Sequence, residues 1–269
     1  MNPLISIIVP CYNYARYLDE CLQSVLDQTF QHWECIIIND GSPDDTEEVA
    51  IKWVDKDSRF RYLKQQNKGV SAARNLGIAN AKGEWILPLD SDNLIFPEYL
   101  KLAEERFQDN FKIITCGIQR FGLENDIWNL PEFNLEKLAS VNMIENCSFF
   151  RKTDWEFIGG YDVGLIYGYE DWDFWISMLQ NGGAVLKLDY VGLNYRVKEV
   201  SRNKELLQND RLDITMKYIE KKHFDFFARY FKNWHYYHSQ YILIDKKYKS
   251  ITQNIIGKIL KKLIDLSKY

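Results

Sequence analysis

The feature that most constrains the fold is an alternation of short apolar runs and amphipathic helices over the first 107 residues. The runs predict buried strands at 5–10, 35–38, 61–63 and 84–89, and helical spacing of apolar residues predicts helices at 15–28, 44–53, 70–81 and 97–107. Strands joined through helices in this way usually pair in parallel and need cover on both faces. We therefore predict an α/β fold with a mainly parallel sheet between two helical layers.

The rest of the chain is less regular and predicts a second region. The elements predicted after residue 107 are a loop or hairpin at 117–131, a strand at 147–151, a helix at 170–179 and a strand at 185–190. Beyond residue 200 the pattern is mainly helical. We expect one main α/β domain at 1–200 and a helical, basic and aromatic extension at 201–269.

Charge also separates these two regions. The chain has a net charge of −4, yet residues 221–269 contain eleven Lys or Arg against three Asp. An apolar stripe in this extension is formed by Ile255, Ile256, Ile259, Leu260, Leu263 and Ile264, with lysines around it. Such a helix either lies on an anionic membrane surface or packs on the main domain or on a second copy of the chain in a homodimer. The sequence leaves both interpretations open.

The use of cysteine and histidine limits the available chemistry. The five cysteines form no Cys-x-x-Cys pair, as expected for reduced thiols in a cytoplasmic protein. Three of the four histidines lie beyond residue 220, so acid–base or metal chemistry in the main domain depends on carboxylates. The short apolar start predicts no signal peptide, and no apolar stretch approaches the ~18 residues of a membrane span. Dinucleotide, ATPase and serine-hydrolase motifs are missing, and no nucleic-acid partner is expected.

A polar loop follows each of the four predicted strands. These loops contain Tyr12 and Asn13, then Asp40-Gly41-Ser42, then Asn67-Lys68-Gly69, and finally Asp90-Ser91-Asp92. In open parallel sheets the carboxyl ends of the strands meet at one edge, where ligands bind. The four loops therefore predict a ligand site at that edge.

Asp90-Ser91-Asp92 is the strongest chemical feature of these loops. Two carboxylates at a strand end can offer oxygen ligands to one hard divalent cation such as Mn²⁺ or Mg²⁺. That cation would stabilise a departing diphosphate. The alternative is a solvated acidic turn, and the apolar strand before it favours the cation because it places both acids at the expected edge.

Two further motifs each have a functional and a structural interpretation. Glu170 and Asp171 stand at a predicted helix start, where carboxylates often only cap the helix. One of them could instead act as a general base. Lys68 and Arg74 lie in the glycine-opened segment 67–75, where they either bind an anionic diphosphate at a helix amino end or are simply solvated.

Taken in order, these motifs resemble those of the family 2 glycosyltransferases of the GT-A fold, over about residues 5–196. The matching motifs are Ser6-Ile7-Ile8-Val9-Pro10-Cys11-Tyr12-Asn13, Asn39-Asp40-Gly41-Ser42, Asn67-Lys68-Gly69 with Ser71 to Asn75, Asp90-Ser91-Asp92, Gly159-Gly160-Tyr161-Asp162 and Glu170-Asp171. Each motif alone is modestly specific, whereas all six in order are very specific. The resemblance implies an inverting hexosyltransferase that moves a sugar, expected to come from a UDP-sugar, onto a glycan or lipid-linked glycan. It would serve cell-surface glycan synthesis in the cytoplasm or at the inner face of the membrane.

The resemblance also implies roles for individual residues. The implied donor-binding residues are Pro10, Tyr12 and Asp40 at the nucleobase, Lys68 and Arg74 beside the base and diphosphate, and Asp90 with Ser91 at the ribose or metal. Asp92 would hold Mn²⁺ or Mg²⁺ with the help of Asp90. Asp171 would be the catalytic base, and Glu170 would contact the acceptor or the donor sugar.

Two positions depart from the family pattern. Many relatives carry a histidine shortly after a late Tyr-Arg pair, whereas Tyr195-Arg196-Val197-Lys198 offers a lysine. A protonated lysine cannot ligate a metal, so Lys198 is expected to contact the diphosphate directly. Asn93 stands where an aspartate is frequent. These departures leave open a catalytically silent nucleotide-sugar-binding partner subunit, while a glycoside hydrolase, which also uses two carboxylates, would not need the nucleotide-binding loops.

Overall fold

The first apolar run of the sequence forms an inner strand of a mixed sheet. The computed structural model describes residues 3–199, 206, 207 and 209–231, and eight positions between 239 and 250. The chain forms two compact units, Met1–His223 and Phe224–Tyr269. In chain order, the described elements are β1 (Ile5–Cys11), α1 (Ala15–Leu26), β2 (Trp33–Asn39), α2 (Thr46–Lys56), β3 (Phe60–Lys64), α3 (Val70–Ala79), β4 (Trp85–Pro88), β5 (Leu94–Ile95), α4 (Tyr99–Glu104), β6 (Ile113–Gly122), β7 (Ile127–Trp128), α5 (Leu135–Leu138), β8 (Phe149–Arg151), α6 (Lys152–Ile158), α7 (Glu170–Leu179), β9 (Val185–Val197), α8 (Arg211–Lys222) and α9 (Phe224–Tyr230).

Within the described residues the strands form one sheet in the order β3-β2-β1-β4-β8-β6-β9-β5, with β7 paired to β6. The first four strands of this order are parallel, as predicted. All residues of β1, β2 and β4 are buried, because helices cover both faces of this half of the sheet. The predicted α/β class is therefore correct, and the parallel half of the sheet delivers its loops to a single edge.

The prediction of a mainly parallel sheet is confirmed, since the longest pairing in the other half, between β6 and β9, is parallel as well. The remaining pairings of that half are short and antiparallel. β8 runs antiparallel to both β4 and β6, and β5 runs antiparallel to β9. The segment predicted as a loop or hairpin at 117–131 contains the end of β6 and the hairpin partner β7. β9 has thirteen residues and continues past the predicted end at 190. The residues of β9 beyond 190 are mostly half-buried. This part of the strand therefore lacks the apolar run from which a strand is recognised in sequence.

The first compact unit includes α8 and extends beyond the predicted boundary at residue 200. Asp173, on α7, has no exposed surface and accepts hydrogen bonds on both carboxylate oxygens. Lys222 Nζ lies 2.8 Å from Asp173 Oδ2, and His223 Nε2 lies 2.7 Å from Oδ1. Because a buried carboxylate is costly without partners, these contacts hold the end of α8 to the main domain.

Replacement of His223 by alanine is expected to destabilise this unit by about 1–3 kcal/mol, because one buried oxygen of Asp173 would lose its partner. This corresponds to a fall in Tm of about 5 °C for a domain of this size. Thermal unfolding of His223→Ala should be compared with that of His32→Ala, since His32 is exposed. Equal Tm values for the two variants would show that Asp173 does not depend on His223.

The described residues test the membrane hypothesis for the extension only in part. In the part of the chain that the structure describes, no helix is both long and apolar enough to cross a bilayer. The apolar stripe at 255–264, from which surface binding to a membrane was predicted, lies outside the described residues. Binding of the extension to a membrane, to the main domain or to a second copy stays a prediction.

Candidate active site

The loops after β1 and β2 are joined directly at the carboxyl edge of the sheet. The Ser42 hydroxyl donates to the Cys11 carbonyl oxygen at 3.3 Å and accepts from the Asn13 backbone N–H at 3.1 Å. Asp40 N–H donates to the same carbonyl oxygen at 2.9 Å. The first two of the four polar loops therefore converge, as their positions in the sequence predict.

Asp40 connects these loops to the loop before α3. Its Oδ1 accepts from the backbone N–H of Lys68 at 2.9 Å and from the Gln65 amide at 2.7 Å, and its Oδ2 accepts from the Gly69 N–H at 2.9 Å. Gly41 has a φ of +73°, and a Cβ there would lie 2.8 Å from Asn67 N, so only glycine fits this turn. Asp40 thus positions the loop that carries Lys68. Its implied contact with a nucleobase stays a prediction.

Arg74 brings together the two acidic clusters that the sequence singled out. Its guanidinium donates to Asp90 Oδ1 at 2.8 Å and to Glu170 Oε1 at 3.0 Å, and the Arg74 side chain is 3% exposed. Burial works against this charge, but Asp90 and Glu170 hold the pKa of Arg74 above its ordinary value. One buried cation therefore joins the end of β4 to the start of α7, so the two acidic clusters lie close together.

Asp171 lies beside this bridge and has the properties of a base. Its Oδ2 accepts from the Asn142 amide at 2.8 Å, and its Oδ1 accepts from the Trp172 N–H at 2.8 Å. Burial, followed by the charge of Glu170, raises the pKa of Asp171 to about 6. A carboxylate with this pKa is ionised at neutral pH and is a stronger base than an ordinary aspartate.

The backbone before α7 places Glu170 and Asp171 in different surroundings. Tyr169 has a left-handed φ of +60° and Gly168 a φ of +142°, which together turn the chain into the helix. Glu170 then points into the core, 6% exposed, and serves Arg74 as a counter-ion. Asp171 remains half-buried on the side of Asn142. Glu170 is therefore buried against Arg74, whereas Asp171 keeps a partly open position. The predicted contact of Glu170 with a sugar stays a prediction.

Asn75 explains the Gly159-Gly160-Tyr161-Asp162 motif. Its Oδ1 accepts from the Tyr161 N–H at 2.8 Å and from the Trp155 indole N–H at 3.0 Å, and its amide donates to the Tyr161 carbonyl at 2.8 Å. A Cβ on Gly160 would lie 2.7 Å from Asn75 Oδ1, so the close approach requires glycine. Tyr161 stacks on Phe174 of α7 at 4.0 Å. The motif therefore holds α3 and α7 together behind the acidic residues.

Asp92 forms a close ion pair with Lys198, which directly follows β9. Lys198 Nζ contacts Asp92 Oδ2 and also donates to the Tyr14 hydroxyl at 2.7 Å, above whose ring it lies at 3.9 Å. Both charged side chains are largely buried, at 14% and 12% exposure. Burial disfavours the ammonium charge, but Asp92 raises the pKa of Lys198 above its ordinary value. The lysine that departs from the family pattern thus lies at the acidic motif itself.

Asn93, the second departure, helps to hold that motif against β9. Its Oδ1 accepts from the backbone N–H of Arg196 at 2.9 Å, and Arg196 Nε donates to the Asp92 carbonyl at 3.0 Å. Arg196 also pairs with Glu20 of α1. An asparagine oxygen is sufficient for this contact, so the structure assigns Asn93 a positioning role.

The donor set at Asp90 and Asp92 does not fit a divalent cation in this arrangement. Asp90 is engaged by Arg74 and Asp92 by Lys198, so each predicted ligand already has a cationic partner. Throughout the described ranges, no three His, Cys, Asp or Glu side chains are grouped so that they could hold a metal ion. Coordination at Asp92 would require Lys198 to move away. The predicted binding of Mn²⁺ or Mg²⁺ by Asp92 and Asp90 stays a prediction.

The remaining predicted donor-binding residues differ in exposure. Tyr12 is 48% exposed and Lys68 is exposed at the tip of its loop, so both side chains are accessible to a ligand. Pro10 is buried at the end of β1, and Ser91 is 2% exposed. Pro10 and Ser91 therefore shape the edge of the sheet from inside rather than present their side chains to solvent.

Sequence reasoning missed Glu145, Asn142 and Tyr14. Burial and then the charge of Asp90 raise the pKa of Glu145 to about 8. Burial raises the pKa of the Tyr195 hydroxyl, and so do the charges of four nearby carboxylates, Glu145, Asp90, Asp92 and Asp171. Glu145 and Asn142 belong to a segment with no periodicity, and only tertiary contacts bring them to Asp171. Tyr14 was not singled out, although it directly follows the recognised motif at 6–13.

The comparison of sequences identifies related proteins. The sequence model of the family described as Glycosyl transferase family 2 matches residues 6–163. The chain is 32% identical over 227 residues to the hyaluronan synthase of Pasteurella multocida, in a match that covers 82% of this chain and 22% of the synthase. It spans less than half the length of that synthase and of other curated relatives that it matches.

Solved structures with a similar fold include two proteins in complex with nucleotide-sugars. The crystal structure of S. aureus TarS in complex with UDP-GlcNAc has a TM-score of 0.70 and 20% identity, with 86% of this chain and 71% of that chain covered. The mannosyltransferase PcManGT from Pyrobaculum calidifontis, in complex with GDP-Man and Mn²⁺, has a TM-score of 0.65 and 16% identity, with 84% and 65% covered. At this identity the likeness shows the fold alone, and it confirms the predicted GT-A architecture.

Proposed function

Because the chain belongs to glycosyl transferase family 2, we propose that it transfers a sugar from a nucleoside diphosphate sugar to an acceptor hydroxyl, with inversion at the anomeric carbon. The observation that carries this proposal is the Arg74 bridge. It joins Asp90, on the side where the loops expected to bind the nucleotide meet, to the start of α7, where a base of raised pKa lies. A transferase that uses direct displacement needs the nucleotide-binding loops and the general base at one cleft.

In the proposed reaction, Asp171 removes the proton from the acceptor hydroxyl. The hydroxyl oxygen forms a bond to the anomeric carbon while the bond from that carbon to the diphosphate oxygen breaks, and the bonding electrons leave with the diphosphate. One displacement of this kind inverts the anomeric centre, so that an α-linked donor yields a β-linked product. The amide of Asn142 orients the carboxylate of Asp171 for this step.

We further propose a UDP-sugar as donor and a glycan or lipid-linked glycan of the cell surface as acceptor. The similarity to a hyaluronan synthase and the binding of UDP-GlcNAc named for TarS support this choice, while GDP-Man in PcManGT keeps a guanine nucleotide as an alternative. The five buried free cysteines fit a reducing, cytoplasmic compartment, including the inner face of the membrane.

The proposal predicts release of nucleoside diphosphate from a nucleotide-sugar. A panel of UDP-, GDP-, ADP- and CMP-linked sugars should be incubated with the full chain and glycan acceptors, with Mn²⁺ in one series and EDTA in another. We expect one class of donor to be consumed by transfer or slow hydrolysis. Binding of a donor without any turnover would instead support the silent partner subunit, and a chain that binds no nucleotide-sugar would refute both functions.

A further inference from the structure

Lys198 is held at the acidic motif by two residues, Asp92 and Tyr14. Its ammonium contacts the Asp92 carboxylate, donates to the Tyr14 hydroxyl, and lies above the Tyr14 ring. The three residues come from different parts of the fold: Asp92 follows β4, Tyr14 precedes α1, and Lys198 follows β9. A surface lysine would be free to move, whereas this one is 14% exposed and fixed from two sides.

The position of this ammonium has chemical consequences for a donor. It lies on the carboxylate that was predicted to hold a metal, at the edge of the sheet where the polar loops converge. A diphosphate that leaves as an anion needs positive charge nearby, and a lysine ammonium supplies a compact, strongly hydrogen-bonding charge. Arg74 is less suited to this task than Lys198, because its side chain is only 3% exposed and its charge is shared by two carboxylates, Asp90 and Glu170.

The same ammonium competes with a divalent cation for Asp92. A metal ion and an ammonium cannot both contact Asp92 Oδ2 closely without strong repulsion. An imidazole in this position could coordinate a metal together with Asp92, but a protonated lysine offers no lone pair. Lys198 therefore supplies a positive charge and not a metal ligand.

We propose that the Lys198 ammonium, held by Asp92 and Tyr14, binds the donor diphosphate in place of a divalent metal ion. This inference rests on the proposed function and adds that binding of the nucleotide, and its departure, are independent of metal. Lys198 forms no covalent bond in the reaction. It stabilises the negative charge that the diphosphate gains when the bond to the anomeric carbon breaks.

The experiment measures UDP and GDP binding by isothermal titration calorimetry, in EDTA and in Mn²⁺. For the wild-type chain we expect Kd values within about threefold of each other in the two buffers, and no stoichiometric Mn²⁺ uptake by electron paramagnetic resonance. Lys198→Ala should weaken binding in EDTA at least tenfold, and Mn²⁺ should restore part of it, because Asp92 is then available as a ligand. Lys198→Arg should retain metal-free binding, since it keeps the charge.

Lys101→Ala serves as the matched control, because Lys101 is exposed and pairs only loosely with Glu98 at 3.5 Å. Its affinities should equal those of the wild type. Tight binding of UDP or GDP by the wild type only in Mn²⁺, with one Mn²⁺ bound per chain, would overturn the inference and leave the transferase function intact. Absence of nucleotide binding in both buffers would instead contradict the proposed function, and the two failures are therefore distinguishable.

Discussion

Replacement of Asp171 by asparagine is expected to lower kcat about a thousandfold while the affinity for the nucleotide changes little. General-base catalysis contributes about 10²–10⁴-fold to such reactions, and an amide cannot accept the proton of the acceptor hydroxyl. Asparagine has nearly the size of aspartate, and its side-chain oxygen can still accept a hydrogen bond from the Asn142 amide. The loss should therefore appear in the chemical step rather than in binding.

The measurement is the steady-state rate of nucleoside diphosphate release from the preferred donor, with nucleotide affinity determined in parallel. Asp213→Asn is the matched control, since this aspartate is exposed on α8 and pairs with Lys217 four residues later. Turnover by Asp171→Asn within tenfold of the wild type would remove Asp171 from the role of base. A parallel loss of nucleotide affinity would indicate a structural role instead.

The raised pKa of Asp171 also sets the expected pH dependence. Burial and Glu170 raise this pKa to about 6, so the base becomes protonated and inactive below that pH. We expect kcat/KM to fall about tenfold for each pH unit below about 6 and to be level just above it. Asn142→Ala removes an amide that stabilises the charged carboxylate of Asp171, so the pKa of Asp171 should rise. The fall in kcat/KM should then begin at a higher pH.

Replacement of Arg74 by methionine is expected to destabilise the folded chain by about 3–5 kcal/mol. Methionine fills much of the volume, but the buried Glu170 carboxylate would lose the hydrogen bond and the positive charge of Arg74, while Asp90, one-third exposed, is partly solvated. For a domain of this size the loss corresponds to a fall in Tm of about 10 °C. Thermal unfolding at neutral pH measures the effect.

A second substitution tests the cause of this loss. Adding Glu170→Gln to Arg74→Met removes the buried carboxylate charge that Arg74 stabilised, so the double variant should be more stable than Arg74→Met alone. Arg106→Met is the control, because Arg106 and Asp109 form a surface pair that is 43% exposed on both sides and should contribute less than about 1 kcal/mol. A double variant that is no more stable than Arg74→Met would show that lost packing, rather than the charge, explains the effect.

The parallel half of the fold could be predicted because its strands are buried on both faces. β1 and β2 have no exposed residues, and this environment requires the continuous apolar runs from which they were recognised. β9 could be predicted only at its beginning, because its later residues are half-buried and alternate irregularly. The antiparallel placement of β8 leaves no trace in local sequence, since strand direction depends on how distant segments pair.

Residues of the candidate site could be singled out where they stand in a short motif after a strand or near the start of a helix. Asp40, Asp90 and Asp92 follow strands, and Arg74 and Asp171 lie near the starts of α3 and α7. Glu145 and Asn142 were not, because their segment shows no period and they reach Asp171 only through the folded chain. Their roles follow from contacts and electrostatics rather than from residue type.

The sequence by itself determined the class of fold and the family, and it indicated the sheet edge of the candidate site, because local hydrophobic patterns and turn residues encode each of these within a few positions. Tertiary structure alone decided how the charges are paired. Whether a carboxylate carries a metal, an arginine or a lysine depends on groups far apart in the chain, such as Asp92 and Lys198. Electrostatic interactions act through space and depend on burial, so they are set only when the chain has folded.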